Sequence, residues 1–226
     1  MTAYALQRNT VVAAPPAMRL VAGNKLSADD IYPRLFDAIL EQRIVPASRF
    51  TEESLAQSFG VSRSVIRRVL ARLAEQQVII LRPNLRAQVA APDARQLQHI
   101  LEARRLMEVT VVQLACTLAK PAQVRQLREL IAHQRECIER DQQGAAIRLS
   151  GEFHLQLAAI AGNGPLTQFL NSLVPLTSLA LAQHGHRPAN WQRQMAIVVA
   201  LEQRDASAAI ALMSQHLDQV QAALTQ

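Results

Sequence analysis

The sequence has 226 residues, half of them hydrophobic, and a formal net charge of +6 at pH 7. This length suits one large domain or two modest ones, and the hydrophobic content suffices for a buried core. Two cysteines are too few for a disulfide framework, and no apolar run reaches the roughly 18 residues of a transmembrane helix. We therefore expect Cys116 and Cys137 to be buried free thiols in a cytoplasmic protein.

The positive charge is concentrated in the first part of the chain. Residues 1–92 contain twelve Arg or Lys against seven Asp or Glu, whereas residues 93–226 contain twelve against eleven. An excess of this kind is typical of a segment that contacts phosphate groups. Residues 1–24 lack the pattern of a signal peptide and are predicted to form a flexible N-terminal tail.

Residues 25–92 are predicted to form a small helical domain with a β-ribbon. Its three helices are expected over residues 27–42, 51–60 and 62–77, with a break at Pro46. Two extended pieces follow, over residues 78–82 and 87–90, and a turn over residues 83–86 joins them. Three helices followed by such a ribbon predict a winged helix-turn-helix, which ends at Pro92.

The third helix has one apolar face and one cationic face. At 100° per residue from Arg63, the aliphatic positions between roughly 200° and 340° are Val65, Ile66, Val69, Leu70 and Leu73. The face between roughly 0° and 140° holds Arg63, Ser64, Arg67, Arg68 and Ala71. A short helix of this kind fits the major groove of DNA, which is about 12 Å wide. The alternative is an ordinary helical hairpin whose arginine face is merely solvated.

From Asp93 onward the pattern is helical, and few Gly or Pro residues interrupt it. Breaks at these residues, and a weak break at Arg204-Asp205, divide the segment into six helices, near residues 94–119, 122–141, 145–161, 165–184, 189–203 and 205–225. The fold class is therefore mainly α, with a winged helix-turn-helix followed by an antiparallel six-helix bundle over residues 93–226. A bundle of this size can enclose a central cavity.

Three segments of the chain resemble the GntR family of bacterial transcription regulators, in the branch with an all-helical FCD ligand domain. The first is LAQSFGVSRSVIRRVLARL, residues 55–73. The second is residues 100–108, which place Arg104 and Glu108 in register with the start of the FCD domain. The third begins with Gly-Glu-Phe-His at 151–154 and runs to Ala-Gly-Asn at 161–163. Six helical segments in the second domain resemble the VanR-like subgroup.

The resemblance implies a ligand-responsive regulator that binds a palindromic operator in double-stranded DNA as a homodimer. A small-molecule effector would bind in the helical domain and change the affinity for DNA. By the same resemblance, Ser62, Arg63, Ser64 and Arg67 would reach bases or phosphates. Arg63 and Arg67 suit paired hydrogen bonds to guanine, and Arg68 a contact with phosphate or a neighbouring acid.

The chain departs from the family pattern at two places beside this helix. Glu53 stands where many relatives have a DNA-contacting arginine. In the wing turn, Arg86 follows Asn84 and Leu85 and takes the position that glycine usually occupies. Asn84 and Arg86 are therefore candidate DNA contacts at the wing, where Arg86 either enters the minor groove or is a solvated turn residue.

Many FCD domains bind a divalent metal through one Asp and three His, and the resemblance places this site on four residues. They are Ser150, His154, Gln194 and His216, so only two of the four expected ligands are present. One hypothesis is a weakened Zn or Ni site that water or an effector carboxylate completes. We favour the other, in which the two histidines line a pocket without metal. Arg104 would then supply a cation for a carboxylated effector.

Two further function classes compete with a regulator. A helical metal-dependent enzyme is disfavoured because the sequence contains no HExxH motif, paired carboxylates or Cys–His nucleophile arrangement. An adaptor with a vestigial DNA-binding module is disfavoured by the intact arginine face. For a regulator, we hypothesise that the effector orders the helices at 145–161 and 205–225 around His154 and His216.

Overall fold

The computed structural model describes residues 26–44, 49–82, 86–185 and 191–225. The expected N-terminal tail, the break at Pro46 and the wing residue Asn84 lie outside them. The described N-terminal residues form three helices: α1 (Ala28–Leu40), α2 (Glu52–Phe59) and α3 (Arg63–Glu75). All three predicted helices are confirmed, with boundaries that differ by one or two residues.

Capping contacts determine where α1 and α2 begin, and a glycine determines where α2 ends. Ser27 and Asp30 form a reciprocal capping box at the start of α1, and Thr51 and Ser54 form another at the start of α2. Gly60 ends α2 with a φ of 63°, in the left-handed region that glycine enters without steric cost. The chain can therefore turn sharply before α3 begins.

The predicted ribbon is present, and a third strand extends it. β1 (Arg49–Phe50), β2 (Ile79–Ile80) and β3 (Ala87–Val89) form an antiparallel sheet in the order β1-β3-β2. β2 and β3 are the two arms of the expected ribbon, with Ile79 opposite Val89. β1 was not expected, because two residues are too short to show the alternating pattern of a strand.

Six helices follow among the described residues, as predicted. They are α4 (Ala94–Leu118), α5 (Pro121–Glu139), α6 (Gln143–Ala161), α7 (Gly164–Gln183), α8 (Trp191–Glu202) and α9 (Ala206–Thr225). The weakest predicted break, at Arg204-Asp205, is real: Arg204 has a φ of 57°, and its guanidinium donates to the carbonyls of Cys116 and Ala119 at the end of α4. Among the described residues, no helix combines the length and apolar character that a bilayer crossing requires.

The two parts of the chain pack against each other through α1. Its buried side chains share one hydrophobic cluster with Ile147 of α6 and with Leu176 and Leu179 of α7. At the edge of this contact, the Arg148 guanidinium donates to both carboxylate oxygens of Asp37, over 2.7 and 3.2 Å. Helix α6 is therefore packed directly against the N-terminal helices.

Gly144 allows the closest approach of α6 to α1. A Cβ atom at this position would lie 2.7 Å from the carbonyl oxygen of Asp37 and 2.7 Å from Cγ of Glu41. The backbone oxygen cannot move aside as the end of a long side chain can. The contact between α6 and α1 therefore requires glycine at this position.

We predict that Gly144→Ala destabilises the protein by about 1–3 kcal/mol, because the added methyl group overpacks the contact. The matched control is Gly164→Ala at the start of α7, where an added Cβ meets no atom within 4 Å. This control is expected to raise the free energy of unfolding by about 0.4–1 kcal/mol. Urea unfolding of both variants makes the comparison, and equal effects would contradict it.

Candidate functional site

Helix α3 presents the cationic face that its sequence predicted. All five aliphatic positions of its apolar face are buried: Val65, Ile66, Val69, Leu70 and Leu73. Ser62, Arg63, Ser64, Arg67 and Arg68 are all exposed. The helix is thus held by its apolar face, and its arginine and serine side chains remain accessible to a partner.

The start of this helix is organised by serine hydroxyls. Ser62 is the N-cap, and its Oγ accepts a hydrogen bond from the backbone N–H of Val65. The hydroxyls of Ser62 and Ser64 lie 2.9 Å apart. Two hydroxyls and Arg63 therefore meet at the positive end of the α3 dipole, an arrangement suited to phosphate.

Two arginines of α3 contact neighbouring helices. Arg67 donates to both carboxylate oxygens of Glu52, over 3.1 and 2.9 Å. Arg72 lies over the ring of Tyr32 at 3.7 Å and forms an ion pair with Asp29 at 3.4 Å. Arg72 therefore ties the end of α3 to α1, while Arg67 is paired on the exposed side. At the wing, Arg86 is exposed.

A second candidate site lies inside the helical domain, where four ionisable side chains form a buried chain. Arg104 and Glu108, one turn apart on α4, pair through Nε and Oε1 at 2.7 Å. Oε2 of Glu108 contacts Nδ1 of His154 on α6. Nε2 of His154 in turn lies 3.1 Å from Nε2 of His216 on α9. Each side chain is at most 3% exposed, so water does not screen these contacts.

The surroundings set the charge of two members of this chain. Burial opposes ionisation of Glu108, but the charges and hydrogen bonds of Arg104 and His154 outweigh burial and lower its pKa to about 2. Burial, and then the charge of His154, lowers the pKa of His216 well below its ordinary value. At pH 7, Glu108 is therefore a carboxylate that accepts a hydrogen bond from Nδ1–H of His154, and His216 is neutral.

Ser150 and Gln194 lie in the same domain and contact each other. The amide nitrogen of Gln194 donates to the carbonyl oxygen and to Oγ of Ser150, over 3.1 and 3.2 Å. Oε1 of Gln194 and Nδ1 of His216 are buried and have no hydrogen-bond partner among the described residues. Buried polar atoms without a partner are costly, and here they mark positions where a bound molecule could be recognised.

The contacts join two pairs of the residues predicted for the pocket, His154 with His216 and Ser150 with Gln194. Arg104, which was predicted to supply a cation for an effector, pairs with Glu108 one turn along the same helix. Glu108 lies in the motif that resembles the start of the FCD domain, but no role was predicted for it. Its position four residues after Arg104, on the same helical face, was an available signal for the pair.

The donor set fits a resident divalent metal poorly. The Nε2 atoms of His154 and His216 face each other, while the carboxylate of Glu108 is engaged by Arg104 and His154. Ser150 and Gln194 supply a hydroxyl and an amide, which are weak ligands for Zn²⁺. Within the described ranges, no group of three or more His, Cys, Asp or Glu side chains is arranged to hold a metal ion.

Two family models match the chain, one over each of its two parts. Residues 27–89 match the family model described as bacterial regulatory proteins, gntR family. Residues 96–219, more than half of the chain, match the FCD domain. The two matched regions contain the exposed face of α3 and the buried chain of ionisable groups, respectively.

Two relatives and one solved structure are similar to most of the chain. The HTH-type transcriptional repressor RspR of Escherichia coli (strain K12) is 28% identical over 200 residues, which cover 87% of this chain and 88% of RspR. NanR of Citrobacter rodentium, also named a transcriptional repressor, is 26% identical over 199 residues, covering 76% of this chain and 75% of its own. The structure of E. coli McbR/YncC superposes with a TM-score of 0.72 at 20% identity, covering 88% of this chain and 97% of its own, and supports the fold alone.

We predict that Glu108→Gln destabilises the protein by about 3–5 kcal/mol, because it leaves the Arg104 guanidinium buried without a counter-charge. The matched control is Glu102→Gln, which removes the same charge from an exposed position of the same helix. It should change the free energy of unfolding by no more than about 0.5 kcal/mol. Similar unfolding midpoints in urea for the two variants would show that the buried pair does not stabilise the domain.

Proposed function

Because the chain belongs to the gntR family of bacterial regulatory proteins, we propose that it binds a palindromic operator in double-stranded DNA as a homodimer. It is a ligand-responsive transcription regulator and not an enzyme. In this proposal, residues 25–92 are the DNA-binding domain and residues 93–226 bind the effector and the second copy. Its place of action is the cytoplasm, where its DNA lies.

The observation that carries the proposal is the exposed arginine and serine face of α3, opposite a fully buried apolar face. Arg63 and Arg67 read guanine by paired hydrogen bonds, each worth about 1–3 kcal/mol of discrimination. The hydroxyls of Ser62 and Ser64 and the guanidinium of Arg68 bind phosphate or base edges. Arg86 at the wing adds contacts beside the helix, and Asn84 is a candidate contact from the sequence alone.

A palindromic operator requires two copies related by a twofold axis. The helical domain carries large apolar side chains in contact with solvent, among them Leu106, which is 76% exposed, and Phe169, which is 57% exposed. Exposed apolar groups of this size favour burial against another protein surface. They support assignment of the dimer contact to the helical domain.

The effector site consists of Arg104, Ser150, His154, Gln194 and His216. The cation for an effector carboxylate is the guanidinium of Arg104, which also pairs with Glu108 and acts directly or beside the histidines. Oε1 of Gln194 and Nδ1 of His216 would take part in hydrogen bonds with polar groups of the same molecule. This chemistry favours a small carboxylated effector that also carries a hydrogen-bond donor.

Helix α6 provides the physical connection between effector and DNA. It carries Ser150 and His154 in the effector site, and Ile147 and Arg148 in the contact with α1. A ligand that shifts or orders α6 would therefore change the position or freedom of the DNA-binding domain. This extends the hypothesis that the effector orders α6 and α9 around the two histidines.

We expect the effector site to work without a resident metal, because it offers no carboxylate ligand. Elemental analysis of the purified, dialysed protein should find well below one Zn or Ni per chain. The control is the same protein incubated with excess Zn²⁺ before dialysis, which should return to the same low value. One metal ion per chain after dialysis would contradict this expectation and restore His154 and His216 as metal ligands.

We predict that Arg63→Ala abolishes sequence-specific DNA binding and leaves the fold intact, because Arg63 is exposed at the start of α3. Duplex DNA from upstream of the protein's own gene is the probe in an electrophoretic shift, with circular dichroism as the check on folding. Arg125→Ala, which removes the same charge from an exposed position of α5, should bind like the wild type. Normal binding by Arg63→Ala would refute the role of this helix, and no binding by the wild type would favour an adaptor.

A further inference from the structure

The pair between Glu52 and Arg67 places a carboxylate on the face that is proposed to meet DNA. Glu52 is the first residue of α2, and Arg67 lies in the second turn of α3. Nε and Nη2 of Arg67 donate in parallel to the two oxygens of Glu52, over 3.1 and 2.9 Å. The Arg67 side chain is nevertheless 67% exposed, so the pair leaves most of it accessible.

We propose that Glu52 is a positioning residue that holds the guanidinium of Arg67 for the recognition of one base pair. This inference rests on the proposed role of α3 in reading DNA. It goes beyond that role because it assigns part of the sequence specificity to an acidic residue of the preceding helix. A carboxylate at this position repels phosphate, so the contribution of Glu52 to recognition must come from holding the Arg67 side chain in place.

The hydrogen-bond capacity of arginine makes both contacts possible at once. A guanidinium has five N–H groups, and Glu52 uses one on Nε and one on Nη2. Both N–H groups of Nη1 and the second of Nη2 remain, and the edge that Nη1 and Nη2 share can donate to O6 and N7 of guanine. Glu52 therefore bonds the Nε side of the guanidinium and leaves the edge formed by Nη1 and Nη2 available to a base.

The pair also lowers the entropy lost on binding. A solvated arginine samples many rotamers, and fixing them at an interface opposes association. In the free protein, two parallel hydrogen bonds to Glu52 already restrict this side chain. Glu52 is thus expected to increase the preference for the correct base more than it increases overall affinity for DNA.

The next residue provides a matched control. Glu53 is adjacent on α2, carries the same charge and is exposed, and no hydrogen bond or ion pair joins it to Arg67 among the described residues. Glu52→Gln and Glu53→Gln each remove one negative charge beside the DNA. Both should therefore raise affinity for a duplex of unrelated sequence to a similar extent.

The experiment selects binding sites from a random duplex DNA library with the full-length wild type, Arg67→Ala, Glu52→Gln and Glu53→Gln, and sequences the bound fraction. The base position whose preference disappears in Arg67→Ala is the one that Arg67 reads. At this position, Glu52→Gln should reduce the preference about tenfold, within the range for a paired contact to guanine. Glu53→Gln should leave the preference as in the wild type.

Three results would overturn the inference. The first is an unchanged preference in Glu52→Gln at the Arg67 position, and the second is an equal loss in Glu53→Gln. The third is an unchanged set of base preferences in Arg67→Ala, which would show that Arg67 reads no base. Failure of the wild type to select any sequence would instead refute the proposed operator binding, so the two failures are distinguishable. Equal thermal unfolding midpoints of the variants exclude loss of fold.

Discussion

The packing of α6 between two sets of partners is the constraint on which the rest of the structure depends. One of its faces carries His154 into the buried chain of ionisable groups, and another contacts α1 of the DNA-binding domain. Two glycines make the closest approaches: Gly144 against α1 and Gly151 against α7, where an added Cβ would lie 2.8 Å from Oγ of Ser178. Well-packed contacts of this kind transmit a displacement and do not absorb it.

The charges of the molecule are arranged in two different ways. The buried Arg104 is compensated by Glu108, and the half-buried Arg148 by Asp37, whose pKa burial raises although Arg148 lowers it. On α3, Arg63 and Arg68 are exposed and available to the phosphates of DNA. Removing one partner of a buried ion pair strongly destabilises a protein, so these pairs fix the geometry of the fold. The exposed arginines instead provide an attraction to DNA that weakens as the salt concentration rises.

The fold was largely predictable because its signals are local. The period of 3.6 residues in α3 separated its buried face from its exposed face, and Gly and Pro marked most helix boundaries. The contacts within the proposed effector site were not predictable in this way. The hydrogen bond between Glu108 and His154 joins residues 46 positions apart, and the close approach at Gly144 depends on how α6 lies on α1. β1, with two residues, carries too little sequence to be recognised.

The start of α2 bears on the proposed reading of DNA by α3. Glu52 and Glu53 lie in the first turn of α2, where carboxylates stabilise the positive end of the helix dipole. The same charges repel phosphate, so this turn contributes little attraction to DNA. Helix α2 can still influence the recognition of DNA without a phosphate contact of its own, if Glu52 orients Arg67 of α3. In the proposed recognition, α3 makes the contacts with DNA, and α2 influences which sequence is read through the hydrogen bonds of Glu52 to Arg67.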